Sequence, residues 1–283
     1  MSKPREKLLI LSLIALIVVS AAFLAYLIYI GRARANLAPV VLLDSSEIRV
    51  SVNATEEELL RGVTAIDPED GDLSASLVVE NISPFIGKNR CTITYAAFDS
   101  ANKVGTASRT LYYTDYHSPR FELLSDFIYA SGEVVKPFDS IRAFDCIDGD
   151  ITNRISMSWV DEASYTGGGA GQVRFRVINS RGDVSTLVVN VVTDERLSQS
   201  TPEIELSNYI TYVKTGESVS PLDFVKSVTV LRKEYTRIGY GAEKFYFDDR
   251  AFDKTKPGVY RIPIYCENGD QLGRTVLTVV VEE

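Results

Sequence analysis

A segment that returns about 80 residues later constrains this chain most, because self-similarity at a fixed period means stacked units rather than one large core. Asp67-Pro-Glu-Asp70-Gly71-Asp72-Leu73-Ser74 comes back 78 residues on as Asp145-Cys-Ile-Asp148-Gly149-Asp150-Ile151-Thr152. Ser118-Pro119, followed by Glu122-Leu123, comes back 83 residues on as Thr201-Pro202 with Glu205-Leu206. Gly132, Pro137 and Asp139 return at an offset of 84 as Gly216, Pro221 and Asp223. These echoes divide the chain into three copies, 39–117, 118–199 and 200–283. The third is degenerate: it has no D-G-D motif, and Phe247-Asp248-Asp249 does not reproduce one.

Strand patterns keep the same register. Cys91, Ile93, Tyr95 and Ala97 alternate with Thr92, Thr94 and Ala96. Val173, Phe175 and Val177 alternate with Gln172, Arg174 and Arg176, and Tyr260, Ile262, Ile264 and Cys266 with Arg261, Pro263 and Tyr265. Period-2 alternation is the mark of a half-buried strand. Each run ends at a turn rich in Asp, Asn and Gly and is followed by a second β-rich run, which predicts a closing hairpin in every copy. Thr55 with Glu58 three residues later is a capping box, predicting a helix of about two turns that ends at Gly62. The fold class expected is all-β: three tandem antiparallel Ig-like β-sandwiches preceded by one N-terminal transmembrane helix.

The D-x-x-D-G-D-[LI]-[ST] pattern, with the Phe98-Asp99-Ser-Ala-Asn102 turn that follows it, resembles the bacterial Ig-like repeats of Gram-positive surface proteins. A related domain occurs in a pesticidal crystal protein, and hyalin-type repeats are similar in plan. The resemblance covers residues 39–283, closely in two copies and loosely in the third. It implies an envelope protein whose repeats serve as stalks, adhesive modules or accessory domains without chemistry of their own. It supplies no ligand.

Leu8–Ile30 is a run of 23 residues without charge or Pro. At about 1.5 Å per residue it spans the roughly 30 Å hydrocarbon core of a bilayer. Tyr26 and Tyr29 sit at its far end, where aromatic belts form. Lys3, Arg5 and Lys7 precede it and Arg32 and Arg34 follow, a small bias toward an inside N-terminus. A cleaved signal peptide is the competing reading, with Ala33-Arg34-Ala35 as its site. Such peptides have a shorter apolar region and no Arg in the small-x-small site. The expectation is therefore a cytoplasmic tail 1–7, a signal-anchor helix 8–30 and a linker 31–38, with the copies outside the plasma membrane of a Gram-positive-like bacterium.

Charge and rare residues narrow the function. Of 30 basic and 38 acidic residues, three and one lie in the first thirty, so the remainder carries −10. That argues against a nucleic-acid partner, which needs clustered Lys and Arg. One His excludes a His-rich metal centre, and three Cys exclude a four-Cys zinc site and a dense disulfide framework. Cys91 and Cys266 fall on inward strand positions and read as buried thiols; Cys146 reads as the more exposed one.

The candidate metal ligands are Asp67, Asp70, Asp72 and Asp99 in the first copy and Asp145, Asp148 and Asp150 in the second. Ca²⁺ is the one cofactor they could hold, since alternate Asp residues on a loop present several oxygens. Turn chemistry is the competing and stronger reading: Asp caps backbone N–H groups and Gly supplies positive φ. Arg181-Gly182-Asp183 is an integrin-type tripeptide on a hairpin tip, where turn formation alone accounts for Gly182 and Asp183. Gly167–Gly171 lacks the Lys-Ser/Thr of a phosphate loop and reads as a connection. Asp248, Asp249 and Asp253 are the carboxylates on offer for hydrolysis, and nothing around them supports it. No catalytic residue is assigned. The function expected is a membrane-anchored extracellular protein acting in adhesion, spacing or protein–protein contact, its three units forming a rod. The alternatives are a non-catalytic subunit of an envelope assembly or secretion complex, or a cell-wall polysaccharide-binding module that stacks sugars on Tyr235, Tyr240, Phe245, Tyr246 and Phe247.

Overall fold

The computed structural model describes residues 3–35, 37–130, 132–160, 171–194 and 200–283. Residues 1–2 of the expected tail, Asn36 of the expected linker, Gly167 to Ala170 of the Gly-rich stretch and residue 199 at the expected second boundary lie outside the described residues.

Helix α1 (Lys3–Ala35) contains Leu8–Gly31, 24 residues long and apolar enough to cross a membrane, with none of its most apolar window covered by other described residues. A helix that is apolar all round has no face to give to water, which separates it from an amphipathic surface helix. It runs on past Ile30 through most of the stretch read as linker.

Three copies of one seven-stranded plan follow. The first has β1 (Val40–Leu43), β2 (Glu47–Val50), the single-turn α2 (Glu56–Leu59), β3 (Val63–Asp67), β4 (Gly71–Asp72), β5 (Val78–Ile82), β6 (Arg90–Phe98) and β7 (Val104–Tyr113). The second has β8 (Arg120–Leu123), β9 (Ile128–Ala130), β10 (Ile141–Asp145), β11 (Gly149–Asp150), β12 (Ser156–Trp159), β13 (Gly171–Ile178) and β14 (Val184–Asp194). The third has β15 (Glu203–Leu206), β16 (Ile210–Lys214), β17 (Val225–Val230), β18 (Lys233–Tyr235), α3 (Arg237–Tyr240), β19 (Phe245–Phe247), β20 (Gly258–Asn268) and β21 (Gln271–Glu282). Each copy has a three-stranded and a four-stranded sheet, ordered β1-β3-β4 and β2-β7-β6-β5 in the first, with the same order repeated in the other two. The fold is an Ig-like β-sandwich three times over.

Every ladder is antiparallel except one per copy. β2 runs parallel to β7, β9 to β14 and β16 to β21, so the second strand of each copy lies along its last. The third copy keeps this topology without the D-G-D loop. There Val230 pairs with Lys233 across a two-residue turn, with Leu231 and Arg232 at φ 50° and 66°, the backbone of a type I′ hairpin.

The alternation seen in the sequence is the burial seen in the strands. Cys91, Ile93, Tyr95 and Ala97 are fully buried, as are Val173, Phe175 and Val177, and Ile264 and Cys266. The capping box forms, Thr55 accepting from the Glu58 N–H and Glu58 from the Thr55 N–H. The helix it starts is one turn long, short of the two expected; the Leu59 and Arg61 carbonyls that follow accept from the buried Arg109 side chain at 3.2 and 2.6 Å.

The contacts group the chain into two compact units, Met1–Asp115 and Tyr116–Glu283. The second and third copies therefore share a unit. Ile210 of β16 is buried in the core of the second copy, with Tyr212 and Val280 packed against it. The Phe121 N–H donates to the Tyr212 hydroxyl at 2.7 Å, and Arg120 pairs with Glu282 at 2.6 Å.

Candidate functional site

The D-G-D loops and hairpin tips of the first two copies share one set of backbone and serine hydrogen bonds. Asp67 Oδ1 accepts from the Glu69 and Asp70 N–H groups at 2.8 and 2.9 Å; Asp145 Oδ1 accepts from Ile147 and Asp148 at 2.9 and 3.0 Å. Asp70 takes the Ser100 N–H at 2.6 Å and its hydroxyl at 3.0 Å, and Asp148 takes both from Ser180 at 2.6 Å. Asp72 and Asp150 cap Ser74 and Thr152 at 2.9 Å, bonds that hold both carboxyls below the usual range. Burial pushes the Asp148 carboxyl up, but Ser180 and Arg154 outweigh it and leave the group below its ordinary value. Gly71 and Gly149 sit at φ 78° and 70°, where a side chain would strain the turn.

Across the loop, Asp99 Oδ1 accepts from Ala101 and Lys103 at 2.9 and 2.7 Å, as Asn179 Oδ1 does from Arg181 and Asp183 at 3.0 and 2.9 Å. In the second copy Arg154 also pairs with Asp148, and Asn179 Nδ2 also donates to the Tyr116 hydroxyl at 2.9 Å. Asn179 Nδ2 donates to Asp145 Oδ2 at 3.0 Å, whereas Asp67 Oδ2 and Asp99 Oδ2 are buried with no hydrogen-bond partner among the described residues. Among the described residues no group of three or more His, Cys, Asp or Glu converges as a metal site.

The second unit carries a cleft of about 600 Å³ between its two copies. β9 and β14 supply Ile128, Val189 and Val192, and β20 and β21 supply Pro263 and Val276. Phe127, just before β9, is 2% exposed and held at φ 60°, rare for an aromatic residue. Its ring packs on Phe175 with centroids 5.9 Å apart, and Asp126 caps the Ile128 N–H at 3.1 Å, which pins the strained turn.

Three Arg and two Asp enter this apolar cleft. Arg250 is clamped by Asp248, whose carboxyl it holds down at about 2. Burial pushes the Asp126 carboxyl up, with Thr275 and Arg274 drawing it partly back. Arg261 donates to the Val188 carbonyl at 2.6 Å, and among the described residues it is in no ion pair. Burial lowers its pKa from the ordinary guanidinium value. The alternation had placed Arg261 only as the outward member of a strand; that it faces β14 of another copy is a tertiary fact without a local sequence signal.

The other sequence candidates fall as follows. Asp183 of the Arg-Gly-Asp turn accepts from the Tyr116 hydroxyl at 2.6 Å and from the Val184 N–H at 2.9 Å, so the carboxylate is engaged within its own unit. Cys91 and Cys266 are buried thiols outside any disulfide, and burial pushes Cys266 up to about 11. Cys146 is partly exposed and donates to the His117 carbonyl. Of the aromatics, Phe245 is core, with Tyr240 edge-on to it and Tyr235 beside Tyr240. Tyr246 and Phe247 are exposed, Tyr246 stacked on Tyr265 at 5.1 Å. Asp253 caps Thr255 and pairs with Lys256, and neither contact joins it to Asp248.

No family model matches the chain. An uncharacterized 81.3 kDa protein of Acholeplasma phage L2 is 25% identical over 164 residues, 56% of this chain and 21% of that protein, so the match spans about a fifth of the curated relative. Among solved structures, a second carbohydrate-binding module with GlcNAc and INT domains from Clostridium perfringens ZmpB is 17% identical, covering 55% of this chain and 42% of that one with a TM-score of 0.22. The protocadherin gammaB4 extracellular domain is 11% identical over 87% of this chain and 51% of its own, with a TM-score of 0.21. Mouse cadherin-23 EC22–24 is 15% identical over 87% of this chain and 99% of its own, with a TM-score of 0.20. At such scores these likenesses carry no argument about function.

Proposed function

We propose that this is a membrane-anchored surface protein that binds a protein partner through the cleft of its second unit and catalyses nothing. Helix α1 is the signal anchor, with its N-terminus cytoplasmic, and the sandwiches stand outside the plasma membrane of a Gram-positive-like cell. Arg261 carries the reading. A guanidinium in an apolar cleft, satisfied among the described residues by a carbonyl and by no carboxylate, keeps a charge that an arriving anion would balance. The apolar floor selects for anions on apolar bodies, so an acidic side chain flanked by aliphatic or aromatic residues fits best.

The test is selection of random displayed peptides on the full chain in nanodiscs. Enriched sequences should pair Asp or Glu with apolar neighbours. Arg261→Met, which keeps the apolar stem and removes the charge, should lose at least about tenfold in enrichment, the factor set by roughly 1.4 kcal/mol of a charged contact. Equal enrichment by both proteins would overturn the assignment.

A further inference from the structure

We propose that the first copy binds a divalent cation, Ca²⁺, between the Oδ2 atoms of Asp67 and Asp99. Asp67 is 2% exposed and Asp99 6%, and each has one oxygen buried without a hydrogen-bond partner. Buried polar atoms are almost always satisfied, so two orphans in one place call for an occupant.

The second copy shows that they are in one place. Asp67 and Asp145 are fixed by the same pair of N–H bonds to Oδ1, and so are Asp99 and Asn179. The hairpin backbone agrees as well: Asp99 N–H reaches the Lys103 carbonyl at 3.1 Å, and Asn179 N–H reaches that of Asp183 at 3.0 Å. Ser100 and Ser180 tie tip to loop through Asp70 and Asp148 in both copies. With these Oδ1, hairpin and serine bonds reproduced, Asp99 Oδ2 stands where Asn179 Nδ2 stands, facing the counterpart of Asp145 Oδ2; Asn179 Nδ2 also donates to the Tyr116 hydroxyl at 2.9 Å. In the second copy those atoms are a donor and an acceptor 3.0 Å apart. In the first they are two carboxylate oxygens.

A cation resolves what the amide resolves in the second copy. Oxygens so placed are both within reach of Ca²⁺, which takes carboxylate, carbonyl and water oxygens at about 2.3–2.6 Å. Two carboxylates are few, so the affinity belongs to the weak, extracellular class of about 10⁻⁴–10⁻³ M. The four other Asp candidates have their Oδ1 atoms committed to backbone N–H groups or Ser hydroxyls, and Asp145 has Asn179.

The experiment is hydrogen exchange on the full chain in detergent, in 10 mM CaCl₂ against chelator at matched ionic strength. Peptides spanning residues 65–73 and 97–104 should exchange up to about tenfold more slowly with Ca²⁺, the gain for free ligand at about ten times Kd. Peptides 143–151 and 177–184 are the internal control and should not respond. Asp99→Asn, which copies the second copy's amide and keeps the Oδ1 acceptor, should be protected in chelator and indifferent to Ca²⁺. Asp67→Asn serves in the same way should that variant not fold. Exchange unaffected by Ca²⁺ overturns the proposal, including the case in which Asp99→Asn is stabilised in chelator. So does a Ca²⁺ response that survives both substitutions, or one equal in the two copies.

Discussion

Gly105 marks a close approach of one backbone segment to another. A Cβ there would lie 1.7 Å from the Pro39 carbonyl oxygen, and at the matching Gly273 it would lie 2.1 Å from that of Pro202. Both glycines face the inward strand partner next to the hairpin tip, Ala97 and Cys266, and Ser185 holds the place opposite Val177. Gly105→Ala must push backbone against backbone, so it should destabilise the first unit by about 1–3 kcal/mol, read as a lower urea midpoint; the same change at Gly71, which meets nothing within 4 Å, should cost only its positive φ, about 1 kcal/mol. Little of this was legible beforehand. Alternation identified Tyr95 as inward, yet it passed over Arg109, which is 4% exposed and donates to the Tyr95 hydroxyl at 2.8 Å. A buried Arg is possible because carbonyls of a distant segment satisfy it, and no local pattern encodes that. The Asp99/Asn179 difference stands in the sequence, but its meaning lies in the bonds around it.

Among the elements, β16 reaches beyond its own sheet. It pairs with β21 and also presents Tyr212 to β8, where the hydroxyl accepts the Phe121 N–H. Burial pushes the Tyr212 phenol up to about 12, with the Phe121 bond and Arg120 drawing it back. Its folded value lies above the unfolded one, so its contribution is complete below about pH 10 and is lost as pH rises through the folded value. Stability of the second unit should fall above about pH 10, and Tyr212→Phe should flatten that fall while lowering neutral-pH stability by about 1–2 kcal/mol for the lost acceptor, both measured by urea unfolding across the alkaline range. Long strands such as β6, β13 and β20 were legible from alternation, because one face is core and the other is not. The two-residue β4 and β11 and the partner of each edge strand were not, since periodicity reports which face is buried and says nothing about which strand lies alongside.

At the scale of the molecule, the repeat predicted three bodies and the contacts make two, because Ile210 enters the core of the neighbouring copy. Calorimetry of the chain outside the helix should therefore resolve two unfolding transitions; Ile210→Asp, which places a charge in the shared core, should split the larger into two. A third independent transition in the unaltered protein would contradict the shared packing. The parallel pairing of second and last strands has a mechanical consequence. A pull applied between the two ends of a copy draws these strands lengthwise in opposite directions, so their ladder is loaded in shear and its bonds must fail together instead of peeling one by one. Four residue pairs share that load in the first copy, three in the second and five in the third, which makes the middle copy the weakest link under tension.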